Sequence, residues 1–287
     1  MMQQGQKYQG FTNREVVSLG EAPFKNVISK VVTQARFAEP FTVIGQEQGW
    51  YEVTLSDTYQ GFVSPAEVIL TSEDFWRSYQ AGPMVLITSH FTYVFRDQKG
   101  GYSPEGKDNR ELLSGVTMAT MLKLLSEEGD AYRVLLPDGS TGLVPRGDAE
   151  VIPAFNRISR GSAESIVNLG KEFLGLPYYW GGTTPYGFDC SGFMQTVYKM
   201  HGVHLLRDAH QQYEMGQILA DRNDLRMADM VFFSTYREGP SHVGIYIADG
   251  RYIHSGSKGV AINSFDPQDE LYSEPLDQKY LGARRIV

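Results

Sequence analysis

Two small antiparallel β-barrels followed by an α+β domain form the fold class the sequence predicts, on three observations. A segment of alternating apolar residues recurs at an offset of 81 residues, the apolar pattern changes to a helical period near Ser162, and 287 residues exceed one ordinary domain. With 41% hydrophobic and 21% charged residues, the chain can bury substantial cores and carries no bias toward disorder.

The repeat aligns Tyr51 with Tyr132, Val53 with Val134, Leu55 with Leu136, Asp57 with Asp138, Gly61 with Gly142 and Val63 with Val144. In each copy the apolar residues alternate, a turn carrying Asp interrupts them and a second short strand follows, as in a small antiparallel barrel or a generic β-meander. The copies resemble bacterial SH3 domains. That resemblance implies SH3-like barrels over residues 1–74 and 75–155, leaving 156–287 as the third domain.

In that third domain, Ala163, Ile166, Val167, Gly170, Phe173 and Leu174 recur at helical spacing, with Ser162 placed to cap the start and Gly175 and Pro177 to stop the run. A second helix is expected to begin at Asp189-Cys190 and to bury Phe193, Met194, Val197 and Met200, with Lys199, His201 and Gly202 closing it. Short strands are expected over 230–233, 242–247, 252–254, 260–263 and 283–286. Helices first and antiparallel strands afterwards make this domain α+β.

Composition excludes several function classes. A net charge of −8, from 26 basic and 34 acidic residues, with no run of Lys and Arg, disfavours nucleic acid as a partner. No stretch approaches the roughly 18 apolar residues of a membrane span, and the first residues lack the apolar core of a signal peptide. The expected location is the periplasm or cell envelope, with an export signal outside this sequence; the cytoplasm is the alternative. The single cysteine, Cys190, forms no internal disulfide and no thiolate zinc site by itself. It is either an apolar filler or a nucleophile.

Chemistry favours the nucleophile. A thiol needs help to ionise, and a cysteine just after an Asp189 N-cap would meet the unpaired N–H groups and the dipole of a helix start. Its base must come from six histidines. His90 lies in the second repeat, a dipole or surface role suffices for His201 and His204 at a helix end, and His210 is ambiguous. His242 and His254 bound a segment that reads as a β-hairpin. If Ala248–Gly250 forms a three-residue loop, Ile247 pairs with Arg251, His254 lies opposite Gly244, and the two histidines share one face. A two-residue Asp249-Gly250 turn would put them on opposite faces.

The motifs at 175–182 (Gly-Leu-Pro-Tyr-Tyr-Trp-Gly-Gly), 188–193 (Phe-Asp-Cys-Ser-Gly-Phe), 228–233, 241–247 and 252–255 occur in the order of the NlpC/P60 cysteine peptidases, which residues 156–287 resemble. With the two SH3-like repeats in front, the whole chain resembles γ-D-glutamyl-L-diamino acid endopeptidases of the YkfC type. The resemblance implies a papain-like fold, Cys190 as nucleophile, His242 as general base and acid, and His254 as the orienting group. It places Tyr178 and the backbone N–H of Cys190 at the oxyanion, and Asp189 and Ser191 at the pocket border, with Ser191 facing the D-glutamyl carboxylate. From the Arg207-Asp208 segment, Asp208 would bind a free L-Ala amine, and Tyr59 of the first repeat matches a tyrosine lining the substrate cleft.

The implied substrate is a peptidoglycan-derived peptide, L-Ala-γ-D-Glu-diamino acid, cleaved by a monomer that needs no cofactor and no metal. Val32 and Ala209 depart from the family pattern, standing where a glutamate and a serine are expected. Two alternatives remain: cleavage of stem peptides on intact wall, and a wall-binding protein without catalysis.

Overall fold

The computed structural model describes residues 8–23, 31–96 and 111–287. The chain divides into two compact units, residues 1–158 and 159–287.

The first unit holds two seven-stranded antiparallel sheets of the same strand order. Across the first, the strands run Val31–Arg36, Val16–Gly20, Gln60–Val63, Trp50–Leu55, Pro40–Glu47, Tyr8–Thr12 and Val68–Thr71. Across the second they run Leu112–Thr117, Phe91–Arg96, Thr141–Pro145, Ala131–Leu135, Met121–Glu128, Met84–Ile87 and Ala149–Ile152. The repeat reaches further than the aligned residues. Strand Pro40–Glu47 matches Met121–Glu128 with the same 81-residue displacement, and both copies break register at the equivalent residue, between Val43 and Gly45 and between Leu124 and Ser126.

The aligned residues have physical reasons. Asp57 Oδ1 accepts the N–H of Tyr59 at 3.0 Å, and Asp138 Oδ1 accepts that of Ser140 at 2.9 Å, so each aspartate closes the turn between its two strands. Gly61 and Gly142 sit where strands cross: an added Cβ would come within 2.9 Å of Leu19 Cβ in one copy and 2.3 Å of Val94 Cγ1 in the other. Val32 packs against the cluster of Val17, Leu19, Phe41 and Val53, so the position offers apolar contact and no carboxylate.

The pattern reading did not anticipate a helix at Glu73–Gln80. Ser72 caps it by accepting the N–H of Phe75 at 3.2 Å, and it carries Tyr79, which is 1% exposed. Tyr79 packs on Phe11 of the first sheet, with ring centroids 4.6 Å apart, and donates its hydroxyl to Leu135 O of the second at 2.9 Å. Only eight residues long, the helix shows too few turns for its period to stand out from the strands around it.

The second unit places helices Ala163–Glu172 and Cys190–Lys199 with a six-stranded antiparallel sheet. Its order is Gln217–Leu219, Tyr280–Arg285, Met230–Phe233, His242–Ala248, Arg251–Gly256 and Gly259–Ser264. Phe193, Met194 and Val197 are fully buried, and Phe188 meets Phe173 and Phe193 edge-on at 5.0 and 5.9 Å. Phe173 is buried as expected, whereas Leu174 lies past the helix end and is exposed. Among the described residues, no helix is long and apolar enough to cross a membrane.

Candidate active site

The site grows from a helix start. Asp189 is the N-cap of the Cys190–Lys199 helix, and its Oδ1 accepts the N–H of Gly192 at 2.7 Å, which makes Cys190 the first helical residue. The same carboxylate holds the preceding loop, accepting the N–H of Gly181 at 3.0 Å on Oδ2. Gly192 is required here, because an added Cβ would stand 2.1 Å from Gly182 O.

Two of the expected substrate-binding residues, Ser191 and Arg207, serve this helix start. Arg207 is 1% exposed and grips Asp189 with both ends of its guanidinium, Nη1 to Oδ1 at 3.0 Å and Nη2 to Oδ2 at 2.6 Å. Nη1 also reaches Ser191 Oγ at 2.9 Å, and that hydroxyl lies 3.3 Å from Asp189 Oδ1. Ser191 and Arg207 are therefore tied to Asp189 inside the protein.

The hairpin differs in detail from the expected one. Tyr246 pairs with Tyr252 and Ile245 with Ile253, the register that sets His254 across from Gly244. Ala248, however, pairs with Arg251, leaving a two-residue Asp249-Gly250 turn with φ of 50° and 77°. An irregularity between Tyr246 and Ala248, with Ile247 as the extra residue, compensates. The parity of the expected three-residue loop survives in a tighter turn plus a bulge.

His242 and His254 consequently meet: His242 Nε2 lies 2.7 Å from His254 Nδ1, with the rings 87° apart. His254 Nε2 in turn lies 2.8 Å from Asn263 Oδ1, and Asn263 Nδ2 donates to Leu271 O at 3.0 Å. Cys190 Sγ stands 4.0 Å from Ser241 O and also interacts with the backbone N–H of Val243, so the thiol lies against the main chain on both sides of His242.

The electrostatics run against the simple expectation for a helix start. Burial, and after it the Asp189 carboxylate, pushes the Cys190 thiol up to about 12. Burial, then the neighbouring His254, holds His242 well below its ordinary value of 6.5. Burial lowers His254 too, against the hydrogen bond that its Nε2–H donates to Asn263 Oδ1. These three residues are 6–8% exposed, and burial favours the neutral form of the Cys190 thiol and of both imidazoles.

Tyr178 bridges to Phe188 at the loop, and its phenol is pushed up first by burial, then by Cys190 and Asp189. Asp208 caps helix Ala209–Tyr213 in a capping box, its own N–H donating to Gln211 Oε1 at 2.9 Å. Tyr59 lies half-buried in the first unit, at the turn closed by Asp57, its carbonyl accepting Leu55 N–H at 2.9 Å.

Two features escaped the motif reading. Tyr236 senses Cys190, Asp208 and Asp189, meets Trp180 edge-on at 5.5 Å and is 60% exposed, so an aromatic pair stands near the nucleophile. Asn263 follows from the parity rule that located the histidines: His254 pairs with Ala261, and Asn263 is two residues on along the same face. His201 Nδ1 is held 2.7 Å from Val197 O at its helix end, and His210 Nδ1 lies 2.9 Å from Arg237, as suits histidines outside the relay.

A buried thiol begins a helix against the main chain that flanks a hydrogen-bonded imidazole, and the family and relatives that the chain matches make it a peptidase of the cysteine class. Residues 175–285 match the model of the NlpC/P60 family. The chain is 32% identical over 281 residues to a gamma-D-glutamyl-L-lysine dipeptidyl-peptidase of Bacillus cereus, covering 94% of this chain and 80% of the relative. A Bacillus subtilis protein of the same name is 30% identical over 251 residues, covering 86% and 79%. The solved structure of an NlpC/P60 family protein from Bacillus cereus superposes with a TM-score of 0.81 at 28% identity, covering 96% of this chain and 99% of that one. This chain belongs to the NlpC/P60 family.

Proposed function

We propose that this protein is a cysteine endopeptidase that hydrolyses the bond between γ-D-Glu and the diamino acid, diaminopimelate or Lys, of peptidoglycan-derived peptides. The observation that carries this reading is the 2.7 Å contact of His242 with His254, on a strand whose main chain meets the thiol that begins a helix. The relatives named for γ-D-glutamyl-L-lysine supply the bond.

The chemistry follows from a neutral thiol and a neutral imidazole. As Cys190 Sγ attacks the γ-carbonyl carbon, its proton passes to His242 and the carbonyl π pair moves onto oxygen, so no thiolate need persist in the burial that disfavours it. The backbone N–H of Cys190 and the Tyr178 phenol donate to that oxyanion. Collapse breaks the C–N bond, His242 returns the proton to the leaving amine, and an acyl-enzyme on Cys190 remains. Water, deprotonated by His242, then releases the γ-D-glutamyl carboxylate and the thiol. His254 orients His242 throughout.

Asp208, whose charge reaches Tyr236 near the thiol, pairs with the ammonium of a free N-terminal L-Ala. Tyr59 joins the substrate-contacting residues on the family resemblance. On the same resemblance the C-terminal domain is papain-like over 156–287 and residues 1–74 and 75–155 are SH3-like barrels; the enzyme works as a monomer in the periplasm or cell envelope, with the cytoplasm as the alternative. Mass spectrometry of L-Ala-γ-D-Glu-diaminopimelate with free and acetylated N-termini tests the substrate. Losing the charge-assisted contact costs about 1.5–3 kcal/mol, so acetylation should lower kcat/KM roughly tenfold to a hundredfold. The effect should shrink in Asp208→Asn. Equal rates on both peptides would refute recognition of a free amine and favour cleavage of intact wall.

A further inference from the structure

We propose that Asn263 is a positioning residue for the reaction: it fixes both histidines as Nε2–H tautomers and so leaves His242 Nδ1 bare to take the Cys190 proton. The inference rests on the peptidase reading above and goes beyond the three residues assigned there.

The argument begins at a backbone carbonyl, whose role cannot be reversed. Leu271 O only accepts, so the Asn263 atom 3.0 Å from it is the amide nitrogen, and the atom facing His254 is Oδ1. An amide oxygen also only accepts. His254 Nε2, 2.8 Å away, therefore carries the hydrogen, and in a neutral ring its Nδ1 is then bare. That bare nitrogen lies 2.7 Å from His242 Nε2, which must be the donor of their hydrogen bond. His242 keeps its hydrogen on Nε2, and its Nδ1 has a free lone pair. Nδ1 is the ring nitrogen nearer the main chain, and the thiol lies against the main chain of the residues flanking His242. Each of the three hydrogen bonds thus points one way, from His242 toward the Leu271 carbonyl, and leaves Nδ1 as the lone-pair nitrogen of His242.

The sheet builds this line by repeating one geometry. His242 is the diagonal neighbour of His254 across one hairpin, and Asn263 is its diagonal neighbour across the next. Gly256 leaves the space, since a Cβ there would stand 2.9 Å from His254 Cε1 and 3.1 Å from its Nδ1. Without an acceptor at 263, His254 could carry its hydrogen on Nδ1 and donate to His242 Nε2. The His242 hydrogen would then sit on Nδ1, facing the thiol with no lone pair to offer.

Long-range 1H–15N NMR of the imidazoles, at a pH where both are neutral, reads the tautomers directly in the unmodified protein. Both rings should show the Nε2–H pattern, and an Nδ1–H form of either would overturn the proposal whatever the substrate. In Asn263→Leu the pattern should become mixed, with kcat falling about tenfold or more and KM little changed, as when a triad histidine loses its tautomer lock. Asn263→Asp keeps an acceptor for His254, so it should retain both tautomers and a kcat within about fivefold of the parent. Unchanged tautomers with full kcat in Asn263→Leu, or loss of the tautomers in a folded Asn263→Asp, would refute it. Failure of the substrate reading would appear differently, as intact peptide with the tautomers in place.

Discussion

Replacing Arg207 by Met should expose how much of the nucleophile's placement depends on one buried ion pair. The guanidinium is 1% exposed and the Asp189 side chain 11%, and the pair is bidentate at 3.0 and 2.6 Å with a further bond to Ser191 at 2.9 Å. Met fills much of the same volume but leaves the Asp189 carboxylate buried with only neutral donors, Gly181 N–H, Gly192 N–H and the Ser191 hydroxyl. Removing one partner of a buried pair costs about 3–5 kcal/mol, a large share of the roughly 5–15 kcal/mol that holds a domain folded. With a urea m-value near 2 kcal/mol/M, the unfolding midpoint should drop by about 2 M. The double variant Asp189→Asn/Arg207→Met leaves no charge alone and should lose less than the two single changes together. A single Arg207→Met variant within about 0.5 kcal/mol of the parent would refute the view that this pair anchors the helix start.

Two further outcomes follow. Gly256→Ala, whose new methyl would crowd His254 Cε1 at 2.9 Å, should lower kcat by roughly tenfold to a hundredfold, because small displacements of a reacting group are costly. Its urea midpoint should move little, and an unaltered kcat would show that the ring needs no such space. The pH profile should reflect the burial of His242. Its pKa is depressed, so the neutral base persists well below 6.5, and the acid limb of kcat/KM should lie below that value. The unfolded chain takes up the proton near 6.5 while the folded one resists, so the His242 contribution to stability is full above 6.5 and lost as pH falls. An acid limb at or above 6.5 would contradict the burial argument.

Much of this molecule was legible in the sequence because its patterns are periodic. Alternation located the repeated strands, and helical spacing with Ser162 and Asp189 as caps placed both main helices within a residue of their observed starts. Strand parity brought His242 and His254 to one face, although Ile247 is bulged and the turn is one residue shorter than expected. What stayed hidden depends on distance along the chain. Arg207 meets Asp189 from 18 residues away, and Asn263 completes the relay from a strand whose sequence signals only alternation. The ionisation of Cys190 was also beyond local reasoning: a helix start favours the thiolate, but burial acts more strongly and pushes the thiol up.

The central claim is that one thiol forms the covalent intermediate. Cys190→Ala removes it without adding volume or charge, at a position 7% exposed. The decisive measurement is the release of L-Ala-γ-D-Glu from L-Ala-γ-D-Glu-diaminopimelate and L-Ala-γ-D-Glu-L-Lys peptides, by mass spectrometry, for the parent and a folded Cys190→Ala protein under the same conditions. The account predicts dipeptide from the parent and intact substrate from the variant; substantial dipeptide from purified Cys190→Ala would contradict it.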